Sequence, residues 1–123
     1  MSWKTQKGNA FAQDVADYLA DVLGDDRIER RVNRGRNDRG DISGVRIRGF
    51  RTAIECKNCK TLELSTWVEE AEVERANDDA EFGLVVHKRK GKGSKNFGDN
   101  YVTMTLETLA AIIAGSHDVL EER

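Results

Sequence analysis

Residues 40–57, GDISGVRIRGFRTAIECK, constrain the fold more than any other stretch of the chain. Two runs with strand-like composition, 41–47 and 50–57, flank Arg48–Gly49, a pairing that reads as a β-hairpin. Side chains two apart on a strand project to the same face. Ile54 and Cys56 therefore share one face and read as core, while Glu55 and Lys57 share the other. A charged pair on that second face is either solvated or functional.

The register of the hairpin decides what stands beside that pair. A three-residue loop, Ile47–Arg48–Gly49, puts Arg46 opposite Phe50 and, counting outward, Asp41 opposite Glu55. A two-residue loop puts Asp41 opposite Cys56, unless a bulge at Ser43–Gly44 moves it back by one. Directly opposed Cβ atoms lie about 5 Å apart. Two carboxylates that close repel unless a proton or a cation sits between them. A hard divalent cation resolves the conflict, since Mg²⁺ takes oxygen ligands, commonly one or two carboxylates with water and substrate phosphate. Such an ion activates water and neutralises charge at phosphorus, and an adjacent lysine orients the water or stabilises the developing charge. Asp41, Glu55 and Lys57 thus form a minimal set for phosphodiester hydrolysis. A surface salt bridge between Glu55 and Lys57 beside an unrelated aspartate is the simpler alternative, because ExK by itself is common.

The rest of the chain supplies elements that pack on this hairpin. Phe11, Val15, Tyr18, Leu19 and Val22 recur at helical spacing from Gly8–Asn9 until Gly24. Residues 27–33 read as a short strand and RGRNDRG as a basic loop. A helix opens at Leu64–Ser65, with Ser65 as N-cap and Glu69 and Glu70 in its first turn, and runs to about Ala80. Residues 81–89 read as a buried strand, 91–100 as a glycine- and lysine-rich loop, and 101–106 as a strand. A last helix at 107–115 starts near Thr105 or Thr108 and stops at Gly115. The order α-β-β-β-α-β-β-α predicts an α/β fold: a mixed central β-sheet flanked by helices, its first three strands a meander and the next reached by a helical crossover.

With 123 residues and neither an internal repeat nor a linker-like stretch, residues 1–123 are expected to form a single domain. No apolar run approaches the roughly 20 residues needed to cross a bilayer, and MSWKTQKGNAF is not a signal peptide, so no membrane partner and a cytoplasmic location are expected. The net charge of -2 hides a strong polarity. Residues 27–51 are rich in arginine and residues 87–95, HKRKGKGSK, in lysine, while acids concentrate in the first helix and at 69–81. One anion-facing side and one solvated acidic side suit a DNA-binding protein, with Arg34, Arg36, Arg39, Lys88, Arg89, Lys90 and Lys92 gripping the backbone. Ser65, at a helix start, is positioned to touch phosphate as well. Cys56 and Cys59 lack the further ligands a zinc site needs and read as free thiols. His87 reads as a strand-end residue, Trp67 as core or a dimer contact, and Trp3 as an anchor for the N-terminal tail.

The run RGDISGV…TAIECKN, followed by a helix beginning STW, resembles the PD-(D/E)xK nuclease superfamily, and within it the phage Holliday junction resolvase-like proteins. The similarity extends from KGNAF to YVTMTL. It implies a restriction-endonuclease-like αβββαβ core, Mg²⁺ as cofactor with Mn²⁺ as a substitute, and a homodimer acting on branched DNA such as four-way junctions in a prokaryotic or phage-infected host cell. It also implies that Asp41, Glu55 and the Cys56 carbonyl are metal ligands and that Lys57 is the catalytic lysine. Two departures stand out. Gly40 replaces the family's proline, and the glutamate usual in the first helix falls at Ala12, leaving Asp14 as the nearest candidate ligand. A nicking or duplex-specific nuclease on the same fold, or a catalytically inactive DNA-binding module, are the alternatives.

Overall fold

A computed structural model describes residues 3–32, 38–90, 96–116 and 118–121. Helix α1 spans Trp3–Leu23. It begins earlier than the apolar pattern indicates, so Trp3 lies in its first turn and not in a tail. Phe11, Ala12, Val15 and Ala16 form its buried stripe, and Val22 falls outside it.

The meander follows. Strand β1 (Glu29–Arg30) pairs antiparallel with β2 (Ile42–Ser43). Strand β3 (Arg46–Ile47) and β2 both pair antiparallel with the long strand β4 (Phe50–Lys57). The predicted single strand at 41–47 is therefore broken in two, and the reason lies in the turn. Ile47 pairs with Phe50 and Arg46 with Arg51, so the loop is the two residues Arg48–Gly49 and not three. Both have positive φ, +55° and +84°, the pattern of the tight hairpin turn whose twist matches its strands. Beyond it, Thr52 N–H donates to the Val45 carbonyl at 3.1 Å, whereas Ile42 already pairs with Ile54. Three steps on one strand match two on the other, and the extra residue is a bulge at Ser43–Gly44. Gly44 has φ +86°, and a Cβ there would collide with the Arg27 carbonyl, so only glycine fits.

Helix α2 (Leu64–Asn77) then crosses over to β5 (Phe82–His87), which runs parallel to β4 from Thr52↔Phe82 to Lys57↔His87. Strand β6 (Tyr101–Thr103), preceded by a 3₁₀ turn at Phe97–Asp99, pairs antiparallel with β5. Helix α3 (Leu106–Ala114) packs against β5; Thr105 caps its start by accepting from Thr108 N–H at 3.1 Å, and Gly115 ends it. A four-residue helix, α4 (Asp118–Glu121), follows, which the sequence pattern did not reveal. The described strands form one mixed six-stranded sheet in the order β1-β2-β4-β5-β6, with β3 on β4. The fold is thus α/β with the expected order through αβββαβ. No helix among the described residues is long and apolar enough to cross a membrane.

Two apolar clusters lie on opposite faces of the sheet. Phe11, Val15, Ile42, Ile54 and Cys56 pack under α1, and Trp67, Ala71 and Val85 under α2. The alternation of β4 thus turns Ile54 and Cys56 toward α1 and leaves Glu55 and Lys57 beneath α2.

Candidate metal centre

The bulge determines what meets Glu55. One step beyond the Ile42↔Ile54 pair stand Asp41 and Glu55, so the two-residue turn and the bulge together reach the juxtaposition expected of a longer loop. Asp41 is fastened to β4 twice: its N–H donates to the Ile54 carbonyl at 2.7 Å, and its Oδ2 accepts from Cys56 N–H at 2.7 Å. Gly40 allows this approach. With φ +97°, its missing Cβ would stand 3.1 Å from the Ile54 carbonyl oxygen, against the backbone of β4. Proline, with φ confined near −65°, has no access to this conformation.

The acids around Glu55 come from three elements. Asp38, Glu55 and Glu74 each offer a carboxylate oxygen, and these atoms lie within 4.8 Å of one another. Asp41 stands beside Glu55 on the strand side, one step beyond the Ile42↔Ile54 pair. Glu55 is 6% exposed and Glu74, from the middle of α2, 2%. Burial pushes the Glu55 carboxyl far above the usual carboxylate range, and the neighbouring Asp41 and Glu74 push it further. Burial also raises Glu74, to about 7, with Asp38 and Asp41 adding to the shift and the bond from Glu55 opposing it. Glu74 Oε2 is buried and meets no hydrogen-bond donor among the described residues. An orphaned carboxylate oxygen carries a desolvation cost of about 1–3 kcal/mol or more. All the donors offered here are oxygens, which fits a hard cation such as Mg²⁺ or Mn²⁺ and not a thiophilic one. A concavity of about 340 Å³ lined by Asp38, Thr66, Glu69, Glu70, Val73 and Glu74 opens beside the cluster, giving it a route to solvent.

Lys57 completes the arrangement. It follows Glu55 on the same face of β4, and its Nζ binds Glu70 Oε2 of α2 at 2.8 Å. Burial lowers the ammonium's pKa, but the Glu70 bond and the Glu55 charge outweigh it, and the net shift is upward. Lys57 is therefore a cation at neutral pH, able to orient a water or offset negative charge and not poised to abstract a proton. Burial pushes the Cys56 thiol up as well, so Cys56 is no reactive thiolate; its Sγ sits in the α1-side core. No disulfide joins Cys56, which is buried, to Cys59, which is exposed.

Several expectations are corrected here. Asp14 is exposed on α1, which covers the face of the sheet opposite Glu55, so it takes no part in the cluster. Ser65 is not the N-cap: α2 starts at Leu64 after Glu63, and Glu69 and Glu70 fall beyond the first turn. The acids of α2 are not simply a solvated face, because Trp67, Ala71 and Glu74, at i, i+4 and i+7, form one buried stripe. That spacing was visible in the sequence, and it is the signal that could have located Glu74. Asp38 carried a weaker signal, lying three residues before Asp41; its Oδ1 accepts from Gly40 N–H at 2.9 Å, which folds the loop back on the site.

The basic residues divide. Lys88, Arg89 and Lys90 follow β5 at the end of the sheet that carries Lys57, and Lys88 N–H donates to the Lys57 carbonyl at 3.0 Å. Arg89 lies over the Tyr101 ring, 5.8 Å from its centroid, and Lys90 Nζ binds Asn58 Oδ1 at 2.7 Å. Arg39 is held by Asp78 at 2.7 Å. Arg34, Arg36 and Lys92 lie outside the described residues. His87 ends β5, buried between the rings of Trp67 and Tyr101, with Nε2 on Thr103 Oγ1 at 2.7 Å. Trp67 is core.

No family model, no curated protein and no solved structure matches this chain.

Proposed function

We propose that the protein is a metal-dependent DNA endonuclease of the PD-(D/E)xK type, a Holliday junction resolvase that hydrolyses phosphodiester bonds in branched DNA. The observation that carries this reading is the convergence of Asp41, Glu55 and the unsatisfied Glu74 oxygen beside Lys57 near the C-terminal end of the central strand β4. Asp38, Glu55 and Glu74 would hold Mg²⁺, or Mn²⁺ in its place, with Asp41 bracing Glu55 from the neighbouring strand. When bound, the ion supplies Lewis-acid activation of water and neutralises charge on the phosphate.

The chain's own residues supply the rest. The Cys56 N–H fixes the Asp41 carboxylate beside Glu55. Lys57, kept cationic by Glu70, orients the attacking water and offsets charge as the 3′ oxygen leaves. Lys88, Arg89 and Lys90, at the same end of the sheet, bind the flanking backbone. A homodimer would present two such sites, as paired cuts in a four-way junction require. The reading places the protein in the cytoplasm of a prokaryotic or phage-infected cell. Glu74 supplies the carboxylate that the first helix lacks, which favours an active enzyme over a silent DNA-binding module.

The test is cleavage of a labelled four-way junction, with linear duplex alongside, in Mg²⁺, Mn²⁺ and EDTA. Paired cuts near the branch point, dependent on metal and lost in Lys57→Ala, are expected. Equal cutting of both DNAs would keep the nuclease and remove the resolvase. Binding without turnover in any metal would overturn the enzymatic reading.

A further inference from the structure

A second charged site lies at the opposite end of β4. Asp78, which closes α2, is 4% exposed, and its Oδ1 meets Arg39 Nη2 at 2.7 Å, Arg31 Nη1 at 3.3 Å and Arg51 Nη2 at 3.4 Å. One carboxylate balances one guanidinium, so this group keeps an excess of positive charge. Arg46 adds to it: its Nη1 donates to the Gly49 carbonyl at 3.2 Å, and among the described residues no ion pair engages it. Arg31, Arg46 and Arg51 line a concavity of about 200 Å³ together with Ser43 and Gly44 of the bulge, and among the described residues its one acidic lining residue is Asp78. That volume is several times the roughly 30 Å³ a water occupies in the liquid, enough for a tetrahedral oxyanion. Arginine forks match phosphate oxygens in pairs, and Asp78 holds two of these forks in place before any ligand arrives.

The position of the pocket specifies which phosphate. Arg51 and Glu55 lie on one strand and one face, four residues apart, which is about 13 Å at the usual strand rise. Phosphates of one DNA strand wind about the axis as they rise about 3.4 Å per step, so a straight separation of about 13 Å spans about two steps. We infer that the Arg31–Arg46–Arg51 pocket holds a backbone phosphate of the bound DNA, about two nucleotide steps from the phosphate that is cut. The inference rests on the nuclease reading and adds a substrate-positioning site to it. Asp78 is a positioning residue, acting through the arginines.

The experiment measures binding of a fluorescent four-way junction in EDTA across a salt series, for the wild type, Arg46→Gln and Arg51→Gln. Arg46 is the cleaner probe because it does not touch Asp78. The slope of log K against log salt should fall by about one in Arg46→Gln, as expected for one lost phosphate contact, with the melting temperature unchanged. Arg51→Gln should behave alike. Unchanged slopes in both variants, in a protein that still binds and cuts, overturn the pocket and leave the nuclease standing. A wild type that neither binds nor cuts overturns both. Reduced slopes in a protein that never cuts uphold the pocket and remove the nuclease.

Discussion

Glu74 carries two opposing consequences. Its buried, unsatisfied oxygen and its acidic neighbours make the ionised side chain unfavourable without a cation, while the same oxygen is the natural ligand for one. Glu74→Gln should therefore act in opposite directions on two observables. Thermal melting in EDTA should show the variant more stable than the wild type by about 1 kcal/mol, because an amide brings a donor and no charge. Calorimetric Mn²⁺ titration should show affinity reduced on the order of tenfold or more, since even outer partners of metal ligands are worth that much. Equal losses in both would mark Glu74 as merely structural. Glu55→Gln should abolish cleavage while leaving junction binding intact, read by gel shift in EDTA; normal cutting would remove Glu55 from the site.

At the scale of elements, the site depends on a defect in a strand. The two-residue turn alone would set Asp41 against Cys56; the bulge at Ser43–Gly44 returns it to Glu55. Gly44→Ala would place a Cβ against the Arg27 carbonyl at positive φ. It should lower stability by about 1–3 kcal/mol, the usual cost of a strained backbone position, and lower cleavage by more than the residual folded fraction explains. Denaturant unfolding together with single-turnover cleavage at low temperature separates the two. A variant equally unstable but fully active per folded molecule would show that the bulge serves the fold and not the site. Helix α2 contributes in the same way, bringing Glu70 to Lys57 and Glu74 to Glu55 from adjacent turns of one face.

For the whole molecule, the buried acids couple folding to pH and metal. Glu74 titrates near 4.5 when unfolded and at about 7 when folded, and Glu55 is displaced in the same direction. Between those values the folded state binds more protons than the unfolded state, so this contribution to stability is full below about pH 4.5 and is lost as pH rises through about 7. Melting temperature in EDTA should fall across that window. Saturating Mg²⁺ should flatten the decline, because a bound cation replaces the protons. Melting curves from pH 5 to 8, with and without Mg²⁺, check both halves, and a metal-free protein that gains stability over that range would contradict the burial of these acids.

Much of the fold was legible in local patterns. The period of α1, the alternation of β4, the apolar run of β5 and the caps of α3 follow from spacing and from single residues such as Thr105 and Gly115, because these depend on neighbours in the chain. The sequence by itself also named Asp41, Glu55 and Lys57 as candidates, since strand alternation is a local property, but it left the hairpin register open. The tertiary structure decided the rest. It chose the turn and the bulge through the contact of Gly44 with Arg27. It sent α1 to the face away from Glu55 and so excluded Asp14. It turned one acid of an apparently solvated helix inward to complete the site. Those choices depend on which face of the sheet each helix covers, and that is set by long-range burial of side chains and not by any spacing within a single segment.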